Sequence, residues 1–305
     1  MTKCPVCSSG QTEPWGIGWD DQYFTSTDQF TYARCTDCRC VSVSPMLSDR
    51  LNEIYPTNYY AYAPPSANLV SRVKLWLDKS NFRKLLSRIN AKQLRVLDIG
   101  GGTGWQLDIL KSVDPRINYT CEVDLDAKGA EIARQAGHAS FCGKIEDFQS
   151  DERFDLILLL NLIEHVPNPL EILQKVAMLL SPGGLALIQT PNYDSLDARL
   201  FRKKNWGGLH CPRHFILFEI KGFSQLCSKA GLKVVHSHYT QGAPFWAWTC
   251  LGWLSRNGWI LLSAKRPAMA HPLFPLLCAL FAAFDLLRLP ISTPSQMRLL
   301  LERAD

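Results

Sequence analysis

The sequence predicts an α/β fold: a mostly parallel open sheet wound with helices, preceded by a small cysteine-bearing unit and followed by an apolar helical segment. Three observations carry this expectation. Val96 to Gly104 reads VLDIGGGTG, an apolar strand run ending in an acid and a glycine turn, with helical sequence from Trp105 to Val113. The same strand, turn and helix rhythm recurs over residues 118–137 and again over residues 154–190. Ahead of all this stand two CxxC pairs, Cys4/Cys7 and Cys35/Cys38, separated by 27 residues.

Composition sets the bounds. At 305 residues and 47% hydrophobic, the chain can bury one large core plus a small metal-stabilised module. The net charge of +5, from 33 basic and 28 acidic residues, is too mild to argue for nucleic acid. A basic cluster (Arg199, Arg202, Lys203, Lys204, Arg213) either meets a phosphate-bearing substrate or forms a solvated loop.

The first unit is expected over residues 1–45 as a separate module. Each CxxC places two thiolates on one tight turn, and two such turns complete a tetrahedral shell around Zn2+. Four protein ligands leave no open position, so the metal expected on Cys4, Cys7, Cys35 and Cys38 is structural. Disulfides are the competing use of these cysteines. The sequence runs Met1-Thr2-Lys3-Cys4 with no secretory segment ahead of the first pair, which favours metal and a cytoplasmic location. Cys40 is spare, and the other six cysteines read as small core residues. Trp15, Gly16, Gly18 and Tyr23 between the pairs suit short strands and turns.

Residues 46–92 form a connector and leading helices. Tyr55, Tyr59, Tyr60 and Tyr62 cluster beside Pro56, Pro64 and Pro65, either as a packed linker or as a cover. From 68 to 90, Val73, Trp76, Leu77, Phe82, Leu85, Leu86 and Ile89 recur with helical period, predicting one or two helices.

The main domain is expected over residues 93–242. Glycines at 100, 101, 102 and 104 depart from the dinucleotide spacing G-x-G-x-x-G, and Asp98 precedes them. An acid there suits a ligand carrying an ammonium or sulfonium group better than one carrying pyrophosphate. A helix-packing turn with no ligand is the plainer reading. The next strand (118–123) ends at Asp124, 20 residues after Gly104, where an α/β nucleoside site places its ribose acceptor. Glu122 lies nearby, but alignment of the following helix favours Asp124. Phe154–Leu160 reads as a strand, and a helix ends before Ser181-Pro182-Gly183-Gly184, with a strand over 185–190. A further helix from near Glu219 closes at Ala230-Gly231 ahead of a strand over 232–236.

The glycine turn resembles motif I of the class I S-adenosylmethionine-dependent methyltransferases. The segments NLIEHVPNP and LSPGG resemble those that members carry after the fourth strand and before the fifth, so the likeness covers roughly residues 85–240. It implies a Rossmann-like sheet of seven strands, the last antiparallel. It also implies S-adenosyl-L-methionine held by Asp98, Gly100, Gly101, Gly102, Gly104, Asp124 and Asn161. Many relatives contact adenine through an acid where Lys144 stands here, so Ile145 or Glu146 is expected to supply that contact.

With the CxxC pairs and the segment WGGLHCPRHFILF (206–218), the chain resembles bacterial methyltransferases that carry an N-terminal zinc-binding domain. That subgroup acts mainly on sugars, polysaccharides and related natural products, and its tyrosine-rich connector often covers the active-site mouth. The resemblance implies methyl transfer to a hydroxyl, or less readily an amine or carbon, of a sugar, glycan or small molecule, including nucleotide- or lipid-linked forms. His165 and His214 are the base candidates, with His210 behind; each is equally suited to a structural role. Glu164 either orients a histidine or meets the methionine part of the cofactor, and Arg213 grips an anion or forms an internal salt bridge.

The last part, 243–305, carries two apolar runs, 243–254 and 272–284, both too short to span a bilayer. Packed core helices or a substrate-covering lid are the favoured reading. The alternative is an interfacial hairpin making peripheral contact at the inner face of a membrane. The last strand is placed at 296–302 or at 259–265. Two other functions are weighed. An rRNA or tRNA methyltransferase with a zinc module should show a base-handling motif such as NPPY where this chain has NLIEHVPNP. A non-catalytic zinc scaffold fits poorly with an intact glycine turn and Asp124.

Overall fold

The computed structural model describes residues 3–56, 59 and 69–304. Tyr60, Tyr62, Pro64, Pro65 and the Val73 side chain therefore lie outside the described residues.

The chain opens with three antiparallel strands, β1 (Thr12–Gly18), β2 (Phe30–Cys35) and β3 (Val41–Ser44). A one-turn helix α1 (Leu51–Ile54) and a long helix α2 (Leu69–Leu86) follow. The main domain then alternates: β4 (Leu94–Ile99), α3 (Trp105–Val113), β5 (Ile117–Asp124), α4 (Ala127–Gln135), β6 (Ala139–Cys142), β7 (Phe154–Leu160), α5 (Pro169–Leu179) and β8 (Leu180–Pro191). After α6 (Leu196–Phe201) come β9 (Ile216–Leu217), α7 (Ile220–Lys229), β10 (Leu232–Thr240), α8 (Ala243–Arg256), α9 (Leu273–Arg288) and β11 (Gln296–Arg303).

The seven-stranded sheet has the order β10-β11-β8-β7-β4-β5-β6. Its β4, β5, β6, β7 and β8 pair in parallel, while β11 runs antiparallel to both β8 and β10. Val96, Leu97, Leu156, Ile157 and Leu158 have almost no exposure, as befits strands covered on both faces. The expected architecture is therefore present, with the last strand at 296–303. The 259–265 alternative forms no strand; there only an isolated bridge joins Ser263 and Arg266.

Local chemistry sets the element ends. Asp126 caps α4 by accepting from the Lys128 and Gly129 amides, and Gly137 at φ +85° closes it. Glu219 caps α7 in the same way, and Gly231 at φ +77° ends it. Strand β8 begins at Leu180, earlier than the sequence suggests. Leu180 pairs with Phe154 and Leu185 with Leu156, so the Ser181–Gly184 turn bulges out of a continuing strand. Strand β10 runs on to Thr240 because β11 pairs with it along its length.

The first three strands do not stand apart from the main domain. Strand β9, from the WGGLHCPRHFILF segment, completes their sheet in the order β1-β2-β3-β9. Trp15, Phe30, Tyr32 and Val43 share one buried cluster with Ile157, Phe215, Phe218 and Leu299.

Candidate active site

The site sits at the carboxyl ends of β4, β5, β7 and β8, where an open α/β sheet offers a crevice. The glycine turn after β4 is its floor. Gly100, Gly102 and Gly104 hold φ of +76°, +57° and +77°, a region that favours glycine. A side chain at Gly101 would place Cβ 2.6 Å from Asp98 Oδ2, and one at Gly104 would meet His138 at 2.8 Å. At Gly102 a Cβ would find only Asp124 Oδ2, at 4.0 Å, so the loop is open above that residue.

Two acids line this cradle. Asp98 is buried, and its Oδ2 has no hydrogen-bond partner among the described residues. Burial, reinforced by the Asp124 charge, pushes Asp98 up to about 7. Asp124 accepts from the Gly102 amide at 3.0 Å and from the Asp126 amide at 2.9 Å, which fixes its carboxylate beside the turn. Glu122 accepts from Ser140 Oγ at 2.7 Å, whereas Asp124 is the acid bonded to an amide of the glycine turn. An orphaned buried carboxylate oxygen beneath an open glycine turn fits a ligand that brings a cationic group. At the rim, Ile145 packs into the main core and has only main-chain groups to offer, whereas Glu146 is half-buried and Lys144 exposed.

The strand β7 end supplies the second half. Asn161 adopts φ +57° and accepts from Gln296 Nε2 at 3.1 Å. Leu162 lies against Gly100, within 3.0 Å of where its Cβ would be, so the glycine turn and the next segment are neighbours. The turn Ile163–His165 then presents Glu164 and His165. Glu164 is fully buried; its Oε2 accepts from Thr190 Oγ1 at 2.9 Å, and burial pushes it up to about 8.

Three histidines gather here. Ring centroids of His165 and His214 are 4.6 Å apart, and His210 lies 5.0 Å from His214 and 6.1 Å from His165. His165 Nδ1 lies 3.0 Å from the Arg213 carbonyl and 2.8 Å from the Tyr55 hydroxyl. His214 Nδ1 lies 2.8 Å from the Gly208 carbonyl. Carbonyls can only accept, so both Nδ1 atoms carry the proton and both Nε2 atoms keep a lone pair. His214 Nε2 is 3.9 Å from Glu164 Oε1, an oxygen with no hydrogen-bond partner among the described residues. Glu164, His165 and His214 each offer a ligand-type atom within 4.8 Å of the others, close enough to share protons or a cation. Burial brings His165 down to about 4 and holds His214 well below its ordinary range, so both rings are neutral.

His210 differs from its neighbours, because both its nitrogens are engaged. Its Nδ1 bonds Gln22 Oε1 and its Nε2 lies 3.1 Å from the Tyr59 hydroxyl, while its ring stacks on Trp248 at 5.5 Å. Arg213 is equally committed. It pairs with Asp20 at 2.9 Å, both fully buried, and donates to the Ile54 and Cys211 carbonyls. The anion-gripping reading of Arg213 is therefore wrong: the guanidinium is an internal clasp between the amino-terminal strands and the PRH segment. Asp20, Gln22, Thr190 and Trp248 escaped the sequence reading. The polar run Asp20-Asp21-Gln22 between aromatic residues was the available signal for the first two.

The basic cluster does not converge on one point. Exposed Arg199 pairs with Asp194, Arg202 lies over the Trp15 ring, Lys203 and Lys204 are exposed, and Arg213 is buried.

The four amino-terminal cysteines converge on one point. Cys4 and Cys38 Sγ atoms are 3.5 Å apart and those of Cys7 and Cys35 are 3.6 Å apart, with all four within 4.8 Å and none in a disulfide. A tetrahedral shell with metal–sulfur bonds of about 2.3 Å needs edges of about 3.8 Å. The four thiols fit it.

Comparison with known proteins agrees with this layout. The ubiquinone biosynthesis O-methyltransferase of Bradyrhizobium sp. (strain ORS 278) is 31% identical over 102 residues, covering 32% of this chain and 40% of the relative. That of Actinobacillus pleuropneumoniae serotype 5b (strain L20) is 34% identical over 113 residues, covering 32% and 46%. The chain thus matches less than half the length of these curated relatives. The solved coclaurine N-methyltransferase bound to N-methylheliamine and SAH shares the fold, with a TM-score of 0.52 at 14% identity over 79% of this chain and 76% of that one. The model of the methyltransferase domain matches residues 74–237, which hold the glycine turn, Asp124 and the histidine trio, and the chain belongs to that family.

Proposed function

We propose that this protein transfers a methyl group from S-adenosyl-L-methionine to a hydroxyl of a sugar, glycan or related small molecule. The observation that carries the reading is a glycine cradle over an orphaned carboxylate oxygen, touched by Leu162 at the start of the turn that presents His165, which with His214 keeps a lone pair on Nε2. S-adenosyl-L-methionine, when bound, supplies an electrophilic methyl carbon. The chain's residues do the rest. Asp98 balances a cationic group of the donor, Asp124 accepts from ribose hydroxyls, and the glycine turn lets backbone approach closely.

His165 is the half-buried member of the trio and the one we assign as general base. Its Nε2 takes the acceptor's hydroxyl proton as the new carbon–oxygen bond forms and the carbon–sulfur bond breaks. His214 and Glu164 are positioning residues beside it, and Glu164, whose Oε1 lies 3.9 Å from His214 Nε2, balances the gained charge when it ionises. Tyr55, Tyr59 and Trp248 give the surroundings an aromatic character that suits either a sugar face or a phenol ring. The phenolic acceptor is the second reading, supported by the names of the curated relatives. On the same footing, Cys4, Cys7, Cys35 and Cys38 hold a structural Zn2+ that fixes β1 and β2, whose connecting loop carries Asp20 and Gln22.

The test uses methyl-labelled donor with panels of sugar nucleotides, polysaccharide fragments and catechols. Label should appear on oxygen in one panel. His165→Ala should cut turnover about 100-fold or more while donor affinity holds. Normal turnover by His165→Ala removes the base assignment, and donor binding with no transfer to any panel removes the acceptor class.

A further inference from the structure

Helix α9 is inside out. A helix on a water-facing protein buries its apolar stripe and exposes its charges. In α9 the buried residues are the charged ones: Asp285 is 0% exposed and Arg288 is 4% exposed. Asp285 accepts from the Gly242 amide at 2.7 Å, from Trp246 Nε1 at 3.2 Å and from Arg288 Nε at 2.8 Å. That buried network fixes how the helix is turned. Phe281 stacks on Trp246 on the inner side. What remains outside is Leu273, Leu276, Leu280, Phe284, Leu287 and, just past the helix, Ile291, spaced three and four residues apart. Leu280 is 60% exposed and Leu287 is 82% exposed.

The expectation that this segment is packed core or lid therefore fails for its outer side. The inner side of the hairpin does pack, with Trp248 of α8 on His210 and Phe274 of α9 on Trp248. The stripe runs the length of a 16-residue helix, roughly 24 Å. The α9 stripe by itself exceeds the scattered apolar residues normal on a soluble monomer. Trp253, Trp259 and Leu261, at the end of α8 and in the connecting loop, are exposed as well, with Trp259 69% exposed.

We infer that the α8–α9 hairpin lies in the surface of an anionic lipid bilayer, with α9 parallel to the membrane plane. Charge selects this occupant. Residues 243–284 contain no Asp or Glu, whereas Lys265 and Arg266 in the connecting loop are exposed and make no ion pair among the described residues. Basic residues and tryptophans flanking an apolar helix face belong at the headgroup level of a membrane rich in negative lipid. No helix among the described residues is long and apolar enough to cross a bilayer, so the contact is interfacial. The inference does not depend on which acceptor is methylated.

The experiment is vesicle flotation of the full chain, with phosphatidylcholine alone and with about one phosphatidylglycerol in three lipids. The protein should float with the anionic vesicles, and added salt should weaken that. The triple variant Leu276→Glu, Leu280→Glu, Leu287→Glu should bind about tenfold less or worse. All three side chains are exposed, so its circular dichroism should match the parent. Lys265→Glu with Arg266→Glu should lose the preference for anionic lipid. Sedimentation equilibrium without lipid gives the opposing outcome. A stable dimer that Leu280→Glu dissociates assigns the face to a second copy and overturns the inference. So does a parent chain that stays in solution with both vesicle types, or a triple variant that floats unchanged.

Discussion

Asp98 shows how a single side chain can be legible as a site and yet need the structure for its state. The sequence places an acid before the glycine turn. Only the fold shows that its carboxyl is buried beside Asp124 and pushed up to about 7. The group is therefore largely protonated below that pH in the ligand-free protein. A donor that brings a cationic group favours the ionised carboxylate, so binding expels the proton and affinity rises with pH up to about 7. Calorimetry in buffers of different ionisation enthalpy should find close to one proton released per donor bound at about pH 6, falling toward none at about pH 8. Asp98→Asn should abolish that release. Equal heats in both buffers for the parent chain mean Asp98 does not face the donor's charge.

The histidines divide along the same line. His165, His210 and His214 are all visible in the sequence, but nothing in it separates them. Their hydrogen bonds do: His210 has both nitrogens engaged, while His165 and His214 each have one committed to a carbonyl. Arg213 went the same way, because its partner Asp20 lies 193 positions distant in the chain.

At the scale of elements, local rules were enough for most of the helices and strands. The glycine turn, the Asp126 and Glu219 caps and the closing glycines at 137 and 231 are all near-neighbour chemistry, so they can be read directly. The cysteine turns belong here too. Cys35→Ser opens the four-sulfur cluster and should release the proposed zinc, taking metal content from about one ion per chain to nearly none by mass spectrometry. The melting temperature should fall by about 10 °C, since β1 and β2, whose connecting loop holds Asp20 and Gln22, lose their tie. A metal-free parent chain with an unchanged melting point ends the structural-zinc reading. Helix α9 marks the limit of local reading. Its apolar content was plain, but which side faces outward was decided by Asp285, whose partners Gly242 and Trp246 come from α8 and its start.

For the whole molecule, the last strand is decisive. Strand β11 comes from the carboxyl end, yet it sits inside the sheet between β8 and β10. Met297, Leu299 and Leu301 are buried in the main cluster. Deleting residues 296–305 should strip β8 of one of its two neighbours and leave β10 unpaired, so the shortened chain should show no cooperative thermal transition by circular dichroism. Deleting only 304–305 should leave the transition in place. A cooperative melt for the longer deletion would mean that β11 is dispensable.

The sequence by itself determined the alternating fold, the glycine cradle with Asp98 and Asp124, and the two cysteine turns, because each depends on residues within one turn or one strand–helix unit. Tertiary structure alone decided the rest. It joined the amino-terminal strands to β9, turned Arg213 inward onto Asp20, split the histidines by their bonds and left the apolar side of α9 facing out. Those outcomes follow from burial and from polar partners supplied by distant segments, and neither is encoded in the spacing of neighbouring residues.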